Sequence, residues 1–202
     1  MRIIKFDINK KDYFSKTFNN IDLSYEKVEN VEFEDCTFVE CRFSDTEFVN
    51  CRFVDCLFLK TNLSLVIWSR CKFNSLVFDQ CKLVGVDWTT VTWPNVVLSA
   101  PMKFQQCILN DASFFGLELE ELVLEACQAI GVDFREANLE QGCFRQTNFE
   151  AALFKDTNLK FVDFTDAINY RIDVLYNEVK GAKFCRQEAI SLLEGLEIEL
   201  VD

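Results

Sequence analysis

The chain is predicted to be a solenoid of stacked five-residue units, and three observations carry that reading. From Phe18 to Leu98 every fifth residue is apolar: nine Phe, four Leu, Trp68, Trp88, Trp93 and Val28. The same beat resumes from Phe104 to Phe164 with seven Phe, five Leu and Ala129. Two residues before each centre runs a second column of small or slender side chains, among them Cys36, Cys41, Thr46, Cys51, Cys56, Thr61, Cys71, Cys81, Cys107, Ala112, Cys127, Ala137 and Ala152. Half the chain is apolar, so an unbroken series of this length would arise by chance on the order of once in a billion trials. A spacing of five is neither the period of a strand nor that of a helix. One unit, with one large and one small inward side chain, cannot bury its own apolar face; stacked copies can.

The elements follow in chain order. Residues 1–12 precede the beat and are read as an N-terminal cap. Residues 13–98 form the first repeat run. At 99–103, "SAPMK", the register slips by one residue, because Leu98 and Phe104 stand six apart. An extra residue in a ladder acts as a bulge, and Pro101 also removes a ladder donor, so a kink or small protrusion built on Ser99, Pro101 and Met102 is expected there. Apart from this slip the coils are expected to be uninterrupted. Residues 104–166 form the second run. Residues 167–202 lack the beat and are read as a C-terminal cap, since the last coil of a solenoid exposes unpaired backbone and apolar side chains. Within it Ala189, Leu192, Leu193 and Leu196 make one α-helical stripe, Gly195 offers a stop signal, and Ile198 and Leu200 alternate onto one face.

Composition removes whole classes of function. There is no histidine in 202 residues, hence no Ser-His or Cys-His pair and no imidazole metal ligand. Paired acids exist, but nothing in the repeat builds a pocket around them, and no enzyme is expected. The ten cysteines follow the small inward column rather than zinc-type spacing, so neither a metal nor any other cofactor is expected. No run of apolar residues is long enough to span a membrane, the start "MRIIKFDINKKDYF" has no secretion h-region, and reduced thiols in the cytoplasm are expected. Net charge is −12, which disfavours nucleic acid and suits a basic partner. The acid is uneven: residues 104–166 carry 12 acidic and 4 basic side chains, whereas residues 1–103 carry 14 and 13. The candidate contact residues are therefore Glu118, Glu120, Glu121, Glu125, Asp133, Glu136, Glu140, Glu150 and Asp156.

The units "CTFVE CRFSD", "ANLEQ", "TNFEA" and "TNLKF" resemble the pentapeptide-repeat proteins over roughly residues 13–166. That resemblance implies an all-β solenoid, a right-handed quadrilateral β-helix with four units per coil, about 7.5 coils and a rod roughly 36 Å long at one strand spacing per coil. The ending "EAISLLEGLEIELVD" resembles the topoisomerase-protecting group of Qnr and MfpA type, and "TNLSL", "VGVDWTTVTWPNV", "CILNDASFFGL" and "DAINYRIDV" resemble its albicidin-immunity members most. This implies a C-terminal α-helix that joins two rods through Ala189, Leu192, Leu193, Leu196, Ile198 and Leu200. It also implies DNA gyrase as partner, with topoisomerase IV second, and protection of that enzyme from an albicidin-, microcin- or quinolone-like poison. Two acidic halves meeting at the centre of such a dimer would match the width and charge of DNA. The alternative is a scaffold for another protein partner.

Overall fold

The structure is a computed structural model that describes residues 10–93, 102–196 and 198. Every ladder among the described residues is parallel, and outside one coil each residue lies over the one twenty positions earlier: Phe18 under Phe38 under Phe58, and Phe33 under Phe53 under Phe73. Twenty residues hold four five-residue units, so each coil has four sides, and each side owns one inward column. The Tyr13 side runs through Phe33, Phe53 and Phe73 to Leu119, Leu139 and Leu159. The Phe18 side runs through Phe38, Phe58, Phe78, Phe104, Leu124, Phe144 and Phe164 to Phe184. The Leu23 side carries Phe43, Leu63, Leu83, Leu109, Ala129 and Phe149, and the Val28 side Phe48, Trp68, Trp88, Phe114, Phe134 and Phe154. Eight steps of about 4.8 Å along the Phe18 side give a rod roughly 38 Å long.

The local reason for five is a corner. Two residues after each centre the backbone turns through the left-handed region, as at Asn20, Asn30, Asp35, Asp45 and Asn50. For a residue with a Cβ this costs roughly 1–2 kcal/mol, and Asn and Asp lower it by local hydrogen bonding. Between corners only three residues are extended, so one side chain points inward at the centre and one just after each corner. The second of these closes the coil to the one before it. Thr46 Oγ1 donates to the Leu23 carbonyl at 2.7 Å, Thr147 Oγ1 to that of Leu124 at 2.9 Å, and Cys51 Sγ to that of Val28 at 3.4 Å. The column therefore selects Cys and Thr because they are small and also carry a donor. Burial pushes the Cys56 thiol up to about 12, so it stays a neutral packing group. The centres stack face to face, with ring centroids 5.1, 4.7, 4.9 and 5.0 Å apart from Phe18 up to Phe104, within the range favoured for offset rings.

Three expectations are corrected. The mid-rod irregularity is not a one-residue bulge. Thr92 still donates to the Cys71 carbonyl in the regular pattern, but Met102 pairs with Leu76 and Phe104 with Phe78, an offset of 26 instead of 20. The coil thus carries six extra residues at the corner between the Tyr13 and Phe18 sides. A six-residue insertion leaves the same phase as a one-residue slip in a beat of five, which is why the sequence concealed it. Ser99 and Pro101 lie outside the described residues; Met102 is buried and opens the strand Met102–Gln105. Second, the repeat does not stop at 166. Asp163 and Phe164 pair with Lys183 and Phe184, and Asn177 takes the place of Thr157 in the small column, its Nδ2 donating to the Phe154 carbonyl at 3.2 Å. Here Asn169 turns through the left-handed region and Tyr170 enters the core one residue late. Third, Glu188–Leu196 is a 3-10 helix, not an α-helix. Three residues per turn split the expected stripe. Leu192 packs on the core of its own rod, whereas Ile190 and Leu196 are exposed, as is Ile198. Leu200 lies outside the described residues.

Candidate partner-binding face

The nine acidic candidates do not form one patch. Glu118, Glu120, Glu121 and Glu140 lie on the Tyr13 side, Glu125 on the Phe18 side, Glu150 on the Leu23 side, and Asp133, Glu136 and Asp156 on the Val28 side; each is placed by its distance from a centre. Their surroundings differ as well. Asp133 is bound to Arg135 by Nε at 2.9 Å and Nη2 at 2.7 Å, and these bonds hold its carboxyl below the usual range. Its charge is largely spent on that partner. Glu125 accepts weakly from Gln105 Nε2 at 3.5 Å and adds a little to the rise in the Arg145 guanidinium pKa that Asp163 chiefly causes.

The four on the Tyr13 side are different. Among the described residues none of them is in an ion pair. Three of them, Glu118, Glu120 and Glu140, are held instead by neutral amides. Asn138 Nδ2 donates to Glu118 Oε2 at 2.8 Å and to Glu120 Oε1 at 3.0 Å. Asn158 Nδ2 donates to Glu140 Oε2 at 3.1 Å and to Asn138 Oδ1 at 2.9 Å. The amides orient Glu118 and Glu120 without neutralising them, and both are exposed; Glu140 is half-buried, with Lys160 near enough to feel its charge. Toward the other end of the rod the same side carries Asp12, Glu32, Glu34, Asp35 and Asp55, with Arg52 bound to Glu32. The six extra residues fall in the chain between this side and the next, one coil ahead of Glu118. The Asn138–Asn158 ladder escaped the sequence reading; its signal was the twenty-residue spacing of two outward Asn side chains.

At the C-terminal end the exposed apolar residues are Ile190, Leu196 and Ile198, with the half-buried Leu193 between Ile190 and Leu196 on one face of the 3-10 helix. Ile190 was missed because an α-helical wheel places it off the stripe. No helix among the described residues is long and apolar enough to cross a membrane.

No curated protein matches the chain. Among solved structures, a trypsin-treated form of QnrB1, a plasmid-mediated fluoroquinolone resistance protein, superposes with a TM-score of 0.70 at 19% identity, covering 95% of this chain and 99% of that one. Full-length QnrB1 gives a TM-score of 0.53 at 21% identity over 93% of this chain and 100% of that one. At such identities the likeness is one of fold. The family profile of the pentapeptide repeat region matches residues 12–88 and 86–184, the same limits within which the ladders run. The chain therefore belongs to the pentapeptide-repeat family.

Proposed function

We propose that this protein is a non-enzymatic, DNA-mimicking rod that binds DNA gyrase, with topoisomerase IV as a second candidate, and protects it in the cytoplasm from a poison of albicidin, microcin or quinolone type. The observation that carries this reading is the uncompensated acid of the Tyr13 side. Glu118, Glu120 and Glu121 place three carboxylates within one coil, a rise of about 4.8 Å. Duplex DNA carries one charge per roughly 1.7 Å of axis, so the local charge density is the same. The stacked rings and closed ladders keep the rod stiff, as a groove built for duplex requires. The fold shared with QnrB1 and the sequence resemblance to the topoisomerase-protecting group supply the choice of gyrase, which charge alone does not. In a homodimer, Ile190, Leu193 and Leu196 would be buried between two rods.

A gyrase supercoiling assay with and without the protein, repeated with an albicidin-, a microcin- and a quinolone-type poison, tests the proposal. Relief of inhibition by at least one poison is expected, together with inhibition of supercoiling itself at high protein concentration, where the rod displaces DNA. Absence of both effects, with no salt-sensitive binding to purified gyrase, rejects the proposal in favour of a scaffold for another partner.

A further inference from the structure

Most ion pairs on this rod join one cation to one exposed carboxylate, as in Arg42–Asp22 and Lys27–Glu29. One place breaks that pattern. Toward the C-terminal end, at the corner between the Tyr13 and Phe18 sides, an open groove of about 660 Å³ has Gly142 in its lining and Arg145, Lys183 and Asp163 around it. Asp163 is buried and its acceptors are filled. Oδ1 takes the Thr165 amide at 3.0 Å and Thr165 Oγ1 at 2.5 Å; Oδ2 takes Arg145 Nε at 2.9 Å, Arg145 Nη2 at 2.6 Å and Lys183 Nζ at 3.5 Å. Burial pushes this carboxyl up, but the bonds from Thr165 and Arg145 outweigh it and hold the group well below the usual range. A single buried charge thus serves two cations, one half-exposed and one exposed, and the groove lining itself carries one more cation than anion, with Glu125 near Arg145 outside it. Arg145 is locked in place with its Nη1 unused among the described residues, a fork of the kind that receives carboxylates.

The other wall of the groove is Phe161. It is a corner residue with φ of 59° and is 50% exposed. A left-handed corner with a bulky side chain over a glycine one coil on recurs along this rod: Leu65, 51% exposed with φ of 57°, stands over Gly85 in the same way. At Phe161 the ring lies alongside Gly181, where a Cβ would stand 2.5 Å from it, and half of it stays open to solvent. What sets this corner apart is the pair of cations, Arg145 and Lys183, that line the same groove.

We propose that this groove binds a small molecule that carries a carboxylate on a planar aromatic ring, with the carboxylate on Arg145 and Lys183 and the ring against Phe161. The site is separate from the acidic face and independent of the gyrase reading.

The test uses the full chain, with 2-naphthoate as probe and 2-naphthylmethanol as its neutral counterpart, followed by calorimetry and by amide chemical shifts. Naphthoate is expected to bind at least about tenfold more tightly, the worth of one charge-assisted contact, and to weaken with salt. Phe161→Gly removes the ring and relieves the strained corner, so it should fold at least as well as the wild type while losing binding; Lys183→Gln should weaken naphthoate severalfold and leave naphthylmethanol unchanged. Cys143, which lines the groove, gives a local readout: naphthoate should slow its alkylation and leave that of Cys185 unaffected. Equal affinity for the two probes, no binding of naphthoate at millimolar concentration, or full binding by folded Phe161→Gly overturns the proposal.

Discussion

The most informative perturbation is neutralisation of the Tyr13 side: Glu118, Glu120, Glu121 and Glu140 all to Gln. The fold should tolerate it. The four side chains point outward, Gln keeps an oxygen to accept from Asn138 and Asn158, and repulsion among like charges disappears. The matched control is Asp133→Asn, Glu136→Gln and Asp156→Asn on the adjacent Val28 side, where Asp133 is already paired with Arg135. An exposed charge in a contact is worth about 0.2–1 kcal/mol. Four unpaired ones give roughly 1–4 kcal/mol, a loss of gyrase affinity from about fivefold to several hundredfold. The control should cost distinctly less per charge removed. Both proteins should be titrated against purified gyrase by anisotropy at about 0.01 M and 0.1 M salt, where the screening length falls from about 30 to 10 Å. The wild type should lose affinity between these conditions and the four-Gln variant should lose little. If the control loses as much, or if the four-Gln variant binds like the wild type at low salt, the contact is not this face.

Other outcomes are equally definite. Phe53→Ala empties a position whose ring meets Phe33, Phe48, Trp68 and Phe73 at centroid distances of 4.9, 5.4, 5.5 and 5.8 Å; a loss near the top of the usual range of about 3–5 kcal/mol should appear in urea unfolding. Ile190→Glu with Leu193→Glu should give monomers by light scattering while native circular dichroism persists, because Leu192 still caps the core; an unchanged dimer mass would remove this face from the interface. Deleting six residues between Trp93 and Met102 should restore the twenty-residue offset and leave a folded rod, with protection of gyrase as the readout of whether the insertion takes part in binding. Asp163→Asn should cost about 1.5–3 kcal/mol at pH 7. The native carboxyl is depressed, so this gap is full above the unfolded value of about 3.9 and narrows progressively as pH falls below it toward the native value; a gap that does not narrow between pH 5 and pH 2 would mean packing rather than charge.

The columns of the rod were legible because each coil repeats one physical requirement. A large apolar residue must fill the axis, and a small donor must reach the preceding coil; Phe48 and Cys51 meet these needs as plainly in sequence as in space. Legibility failed where another residue meets the same need by different chemistry. Asn177 replaces Thr157 in the small column with an amide donor, and Tyr170 reaches the core one residue late because Asn169 takes the turn, so the last coil read as a tail. The six-residue insertion was hidden by arithmetic, since a beat of five cannot tell six from one. As for the face, sequence located the acid along the chain but not around it. Asp133 is neutralised by Arg135 two residues on, whereas Glu118 is held by Asn138 twenty residues away, a neighbour that only the stacking of coils supplies.

The insertion also bears on how such a rod changes over generations. Six residues enter at a corner, yet Phe104 lands on Phe78 and every later column keeps its side. Growth at an edge is therefore silent downstream, whereas the same six residues within a side would interrupt an extended segment and its inward column. Corners act as slots. A lineage can try loops of many lengths there, each set beside a charged face whose geometry does not move, and can lengthen the rod by whole coils without redrawing what it already presents.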